Sequence, residues 1–258
     1  MKTTLKFSTL LVALASVFTF SSCLNSDDDS SYPTYSSYVT IAGGQFMDYT
    51  FYSDFGCILK PTTESVKNVL YNWNMQNVKR GIIYFDLASE TEQIIEFKPG
   101  QRYDIVLNAN GYNTPIPTYE STRHTAASDS LVTNNKSVLN VDKSIWAVNG
   151  FLNALITINY KSGKEFSMST YYSEDDIDVT NNTLNLNLYY NSNSENSDTQ
   201  IGPYPFSFRL PEEVIYNNHF SADSITLVLN AISGYDNSQL NKVGECKVAL
   251  KDFSEPMF

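Results

Sequence analysis

Three cysteines and two histidines in 258 residues leave little material for metal or thiol chemistry. There is no CxxC pair and no Cys/His cluster, which excludes a structural zinc site built from four such ligands. His124 and His219 are too few for a histidine-based metal centre. Basic residues are also scarce, with 17 Lys and Arg against 28 Asp and Glu and a net charge of −11. Affinity for phosphate backbones rests largely on Lys and Arg, so nucleic acid is not an expected partner, nor is electrostatic adsorption to anionic lipid. A long hydrophobic run is missing as well. The apolar stretch Phe7 to Phe20 covers fourteen residues, whereas a bilayer core of about 30 Å takes about 20 at 1.5 Å each. A permanent membrane helix is therefore not expected there.

What is present begins with a signal-peptide pattern. Lys2 and Lys6 precede the apolar stretch, which ends in Ser21 and Ser22 before Cys23. A cysteine directly after small residues at the end of such a run resembles a bacterial lipobox, with Phe20 where an aliphatic residue is more usual. Residues 1–22 are expected to be removed and Cys23 to be lipidated. More than one acyl chain is what stable anchoring requires. The alternative is ordinary signal-peptidase cleavage with Cys23 as a plain thiol. Residues 23–37 are polar and acidic and cannot bury enough apolar surface to fold, so they read as a flexible tether. Asp27-Asp28-Asp29 within it resembles the surface-export signal of Gram-negative lipoproteins. The expected location is the outer membrane, exposed at the cell surface, with its periplasmic face as the alternative. Without residues 1–22 the chain carries 15 basic and 28 acidic residues, a net charge of −13, which suits a dispersed exterior protein.

The chain as a whole is rich in strand-forming residues, with 18 tyrosines and 15 phenylalanines. Alternation across Gly43-Gly44 predicts two strands near 37–52, and Pro61 stops a third. Val66, Val69, Leu70 and Trp73 then fall at helical spacing, with Thr62 or Thr63 as cap, so a short helix is expected between Thr62 and Gln76. Strands return at 78–87 and 101–109. Five strands and one helix over residues 38–111 predict a small OB-type barrel. Residues 112–143 hold Pro115 and Pro117 and few bulky apolar groups, and read as an irregular connector. Six longer strands follow in residues 144–258, at 150–160, 165–172, 183–190, 204–210, 224–231 and 242–250. Their turn-rich gaps predict an antiparallel β-sandwich. In 183–189 the alternation places Leu184, Leu186 and Leu188 in the core and Asn185, Asn187 and Tyr189 in solvent. The fold class is thus all-β, a barrel followed by a sandwich. Cys57 and Cys246 fall in different halves and read as separate buried thiols.

The order of lipobox, acidic tether, a barrel containing Lys79-Arg80-Gly81-Ile82-Ile83-Tyr84-Phe85, and a second half opening with Val141-Asp142-Lys143-Ser144-Ile145-Trp146-Ala147-Val148-Asn149-Gly150-Phe151-Leu152-Asn153 resembles the NigD-like lipoproteins. That resemblance spans nearly the whole chain and implies an N-terminal OB domain and a C-terminal β-sandwich. Its motifs are structural, and it implies no functional residue beyond Cys23.

Candidate chemistry is sparse. His124 with Ser128-Asp129-Ser130 contains the residue types of nucleophilic catalysis, but a base must be held by a third group, and these read as solvated loop. Glu174-Asp175-Asp176-Ile177-Asp178 packs four carboxylates into a turn, as calcium would require, but lacks the glycine and terminal glutamate of an EF-hand loop. It reads as an exposed acidic turn. Trp73 and Trp146 have rings able to stack on sugars, but their positions read as core. No catalytic residue, metal site or cofactor is assigned. The expectation is a non-catalytic, membrane-anchored binding module for a protein or glycan. The alternatives are a glycan hydrolase or carbohydrate-binding lipoprotein, and a bacteriocin-associated protective protein.

Overall fold

The structure, a computed structural model, describes residues 35–250 apart from 45–46, 72, 74–77, 90–95, 125–134, 161–165, 193–198, 213–219 and 235–238. The signal peptide, Cys23, most of the tether, Ser128-Asp129-Ser130 and His219 lie outside the described residues. None of the described helices is long and apolar enough to cross a membrane.

The first half contains β1 (Tyr35–Gly43), β2 (Tyr49–Ser53), β3 (Ile58–Pro61), α1 (Thr63–Leu70), β4 (Arg80–Leu87), β5 (Arg102–Leu107) and β6 (Thr114–Ile116). The strands run in the order β1-β2-β3-β5-β4, and β1 also pairs with β4, which closes a five-stranded barrel of OB type. The long β1 makes closure possible because Val39 to Gly43 face β2 while Tyr35 to Thr40 face β4. Inward residues at every second position, Val39, Ile41, Phe51, Leu59, Ile83, Phe85 and Ile105, are 4 % exposed or less and form the barrel core. The helix starts where expected, with Thr62 Oγ1 accepting from the Ser65 amide at 3.4 Å. It ends at Leu70, earlier than the apolar periodicity suggests. Trp73 lies beyond the last turn and donates its amide to Leu70 O at 3.0 Å.

The second half contains β7 (Thr118–Arg123), β8 (Asn140–Val141), β9 (Trp146–Val148), β10 (Phe151–Tyr160), β11 (Phe166–Tyr172), β12 (Ile177–Asp178), β13 (Thr183–Ser192), β14 (Thr199–Arg209), β15 (Ser224–Ala231) and β16 (Asn241–Ala249). Eight of them follow the order β16-β15-β13-β11-β7-β14-β10-β8, a nearly closed sandwich. Its core includes Leu152, Ile156, Leu184, Leu186, Phe208, Ile225, Leu227 and Leu229, all fully buried. Full burial of such a side chain contributes about 1.5–3 kcal/mol.

The structure corrects three sequence readings. The stretch 112–143 is not irregular throughout, since it holds β6, β7 and β8. Only Pro117 separates β6 from β7. Next, β7 lies between β11 and β14 and runs parallel to both, and β13 is parallel to β15, so the mainly antiparallel sandwich contains three parallel pairings. Lastly, the outer face of β13 is not wet. Leu184, Leu186 and Leu188 do point inward, but Asn187 and Tyr189 are 8 % and 9 % exposed. A 3-10 turn at Glu174–Asp176 folds over that face. Asn185 Nδ2 donates to Asp176 O at 3.4 Å, Asn187 Nδ2 to Asp176 Oδ1 at 3.3 Å, and Asn230 Nδ2 to Asn187 Oδ1 at 3.1 Å.

Cys57 belongs to the barrel core and Cys246 flanks the second core, and both are free thiols. Burial, helped by the Glu245 carboxylate, pushes the Cys246 thiol from 9.0 up to about 12. Burial likewise pushes the Tyr119 phenol from 10.0 up to about 12. Above pH 9 the unfolded chain releases protons that the folded chain keeps, so these groups make stability fall as pH rises towards 12. The thermal midpoint should decline between pH 9 and 11, and Cys246→Ala with Tyr119→Phe should flatten the decline. Identical slopes in variant and parent would contradict this origin.

Candidate functional site

The strongest ionic constellation lies between the two halves. In β4, alternation sends Arg80 to the outside of the barrel, and its register partner Thr40 of β1 points the same way. Both are nevertheless fully buried, because the β9–β10 hairpin covers them. That hairpin turns through Asn149 and Gly150, with φ of 51° and 79°, the positive angles a two-residue turn of this kind requires and an Asn-Gly pair supplies. Trp146 and Asn153 are opposite each other in the hairpin register. Phe151 and Asn153 face the barrel while Leu152 and Ala154 face their own core.

Arg80 is held on several sides. Nη1 donates to Asp54 Oδ1 at 2.6 Å and Nη2 to Asp54 Oδ2 at 2.7 Å. Nη1 also reaches Thr40 Oγ1 at 2.7 Å, and Nη2 reaches Asn153 Oδ1 at 3.1 Å. The guanidinium carbon lies 5.9 Å from the centroid of the Phe151 ring. From the second half, Trp146 Nε1 donates to Asp54 Oδ2 at 2.7 Å, Asn149 Nδ2 to Thr40 Oγ1 at 3.1 Å, and Ser207 Oγ to Asn153 Oδ1 at 2.6 Å. The Tyr38 and Trp146 rings meet edge to face at 5.3 Å. Desolvation first, then the nearby Asp54 carboxylate, raises the Tyr38 phenol above its ordinary value. This cluster joins the halves and is closed to substrate. Trp146, expected in the core, is half-buried and acts as a hydrogen-bonding clamp. Sequence reasoning missed Asp54 and Arg80 as partners, since 26 residues separate them.

Among the described residues, two concave surfaces open to solvent on the barrel. A polar cleft of about 650 Å³ lies beside β5, lined by Glu96, Lys98, Gln101, Arg102 and Asp104 among others. Its charges answer one another, with Arg102 and Asp104 paired at 3.1 Å. A second groove of about 460 Å³ lies between α1 and the β1–β2 turn. Val66, Leu70 and Trp73 come from the helix and its C-terminal extension, Tyr49 and Met47 from the opposite turn, and Tyr71 and Lys67 complete the lining. A Cβ on Gly81 would stand 2.8 Å from the Trp73 ring, so glycine is what lets the indole rest against β4. Met47 adopts φ 64°, a left-handed conformation unusual for a bulky residue, and its side chain is 43 % exposed.

The other sequence candidates do not assemble into a site. His124 donates its amide to Tyr172 O at 2.6 Å, with its ring 5.9 Å from Tyr171. In the acidic turn, Asp176 accepts from Ser173 N and Oγ at 2.7 and 2.8 Å. Glu174 pairs with Arg123. Asp178 accepts from Asn181 Nδ2 at 2.6 Å, and the Asn181 side chain and amide hold its carboxyl below the usual range. Those carboxylates bond within the fold, and no group of three metal-ligating side chains occurs among the described residues.

The structure therefore defines a two-lobed β protein, an OB-type barrel whose buried Arg80–Asp54 pair is hydrogen-bonded by residues of the sandwich. Solved structures share this architecture. A NigD-like immunity protein of Bacteroides caccae aligns over 81 % of this chain and 90 % of its own, at 16 % identity and a TM-score of 0.52. A protein of Bacteroides fragilis described as a lipoprotein aligns over 86 % and 99 %, at 14 % identity and a TM-score of 0.52. A protein of Parabacteroides distasonis described as toxin-related aligns over 84 % and 94 %, at 15 % identity and a TM-score of 0.56. No family model and no curated protein matches the sequence. The fold is thus the one the NigD-like resemblance implies.

Removing one member of a buried ion pair leaves an uncompensated charge and costs about 3–5 kcal/mol, whereas replacing both with apolar groups is often neutral. Arg80→Leu should lower unfolding free energy in urea by about that amount, and Arg80→Leu with Asp54→Leu should recover much of it. Equal losses in the single and double variants would show that an uncompensated charge is not what the single variant suffers from. Trp146→Phe removes one bond to a charged acceptor and should cost about 1.5–3 kcal/mol, measured in the same assay.

Proposed function

We propose that this chain is a lipid-anchored cell-envelope protein whose two-lobed body binds a ligand rather than transforming one. The observation that carries the reading is the groove at α1. It is apolar and aromatic with few polar groups, the usual make-up of a binding pocket, and its size falls in the range of about 300–1,000 Å³ common to such pockets. The best-organised charged groups, Arg80 and Asp54, are committed to the joint between the lobes. The description of a fold neighbour as a lipoprotein supports the anchor. Cys23 is the attachment point in this reading, and the outer membrane facing outward is the site of display.

Cys23→Ala should move the protein from the membrane pellet to the soluble fraction, and persistent sedimentation with membranes would refute lipidation. An enzymatic role would show as turnover of a polysaccharide panel that disappears on substitution of a single Asp or Glu. A protective role against a toxin has support in the names of two fold neighbours, one an immunity protein and one toxin-related. Unchanged toxin sensitivity in cells lacking the gene would remove it.

A further inference from the structure

We infer that the α1 groove recognises an amphipathic carboxylate, a small molecule with an alkyl or ring body and one anionic end. The inference rests on the binding reading above and assigns that groove its ligand class. The body of the ligand would lie against the Trp73 ring, with Met47 and Tyr49 as the facing wall and the largely buried Val66 and Leu70 as the floor. Lys67 is the one charged side chain in the lining, it is exposed, and it makes no ion pair among the described residues. The nearby Lys60 is already paired with Asp48. Lys67 is therefore the cation left to meet an anion in direct contact at the lip, with Glu64 of the same helix one turn away.

The mouth is shaped by strain as well as by composition. Met47 holds a positive φ that most side chains avoid, and residues kept in such conformations concentrate at ligand clamps. In the tight turn, Gly44 N donates to Asp48 O at 3.2 Å and Met47 N to Gly44 O at 3.4 Å, which fixes the direction in which Met47 projects. Its flexible thioether adapts to irregular apolar partners. Tyr71, 86 % exposed, stands at the opposite edge.

The test is a titration of the mature protein with monomeric dodecanoate, dodecanol and dodecyltrimethylammonium, followed by tryptophan emission and calorimetry. Dodecanoate should bind one site per chain and shift the emission, with the shift lost in Trp73→Phe. Lys67→Gln should weaken dodecanoate about fivefold, the effect of an exposed ion pair, and leave dodecanol unchanged. Lys67→Arg should restore it. Equal affinity for dodecanoate and dodecanol, indifferent to Lys67, would overturn the carboxylate assignment while leaving an apolar binding groove and the binding reading intact. Tighter binding of the trimethylammonium probe would overturn it in favour of a cationic ligand. Silence with all three probes, while acrylamide still quenches Trp73, would overturn the inference and take away the support the groove gives to the binding reading.

Discussion

The contact on which the architecture depends is the two-pronged pairing of Arg80 with Asp54, sealed between the lobes. A buried guanidinium is costly to desolvate, and its attraction to one carboxylate offsets that cost only when the remaining donors are also satisfied. Here Thr40 and Asn153 take further Nη donors and Trp146 and Arg80 together occupy Asp54 Oδ2, which leaves Arg80 Nε buried without a partner. Three of these groups come from the barrel and two from the sandwich. An apolar interface tolerates sliding, whereas these directional hydrogen bonds form together at a single relative placement of the two bodies. The bonds that Trp146, Asn149 and Asn153 make to this barrel cluster thus set how the lobes are oriented.

Short connections reinforce the same placement. With only Pro117 between β6 and β7, the chain passes from one sheet to the other almost without a linker. Ser207 N donates to Pro117 O at 3.0 Å and Tyr204 Oη to Pro115 O at 3.2 Å, so β14 grips the passage from the sandwich side. The Asn149-Gly150 turn folds β9 onto β10 tightly enough for one face of that hairpin to serve the joint while the other serves the sandwich core. The two segments that carry the family resemblance, around Arg80 and around Trp146, are the two surfaces that meet there. Their likeness is the likeness of a joint.

Charge and apolarity are distributed in a way that bears on function. The best-paired ionic groups are inside, where they hold the structure, and an aromatic and apolar surface is outside, at the α1 groove. Globular proteins leave single apolar residues exposed without consequence, whereas here several of them line one concave surface beside a residue with positive φ. The acidic turn shows the converse. Three of its carboxylates, those of Glu174, Asp176 and Asp178, look available in the sequence and are taken up by Arg123, Ser173, Asn187 and Asn181 in the fold.

Local pattern alone determined much of the molecule. Strand-forming pattern and turn signals located eleven of the strands, and the spacing of Val66, Val69 and Leu70 with Thr62 located the helix, because these features depend on neighbours a few residues apart. The OB-type barrel and the sandwich followed from the count and order of those elements. Only tertiary structure decided which outward-facing positions stay wet. Thr40, Arg80, Asn153, Ser207 and Asn187 all alternate outward and are all buried, since each is covered by a segment distant in the chain. It also decided that the polar β7 sits inside a sheet between two parallel neighbours, where hydrogen bonding rather than hydrophobic pattern holds it. Alternation records the side of a strand on which a residue lies, and carries no information about what will later pack against that side.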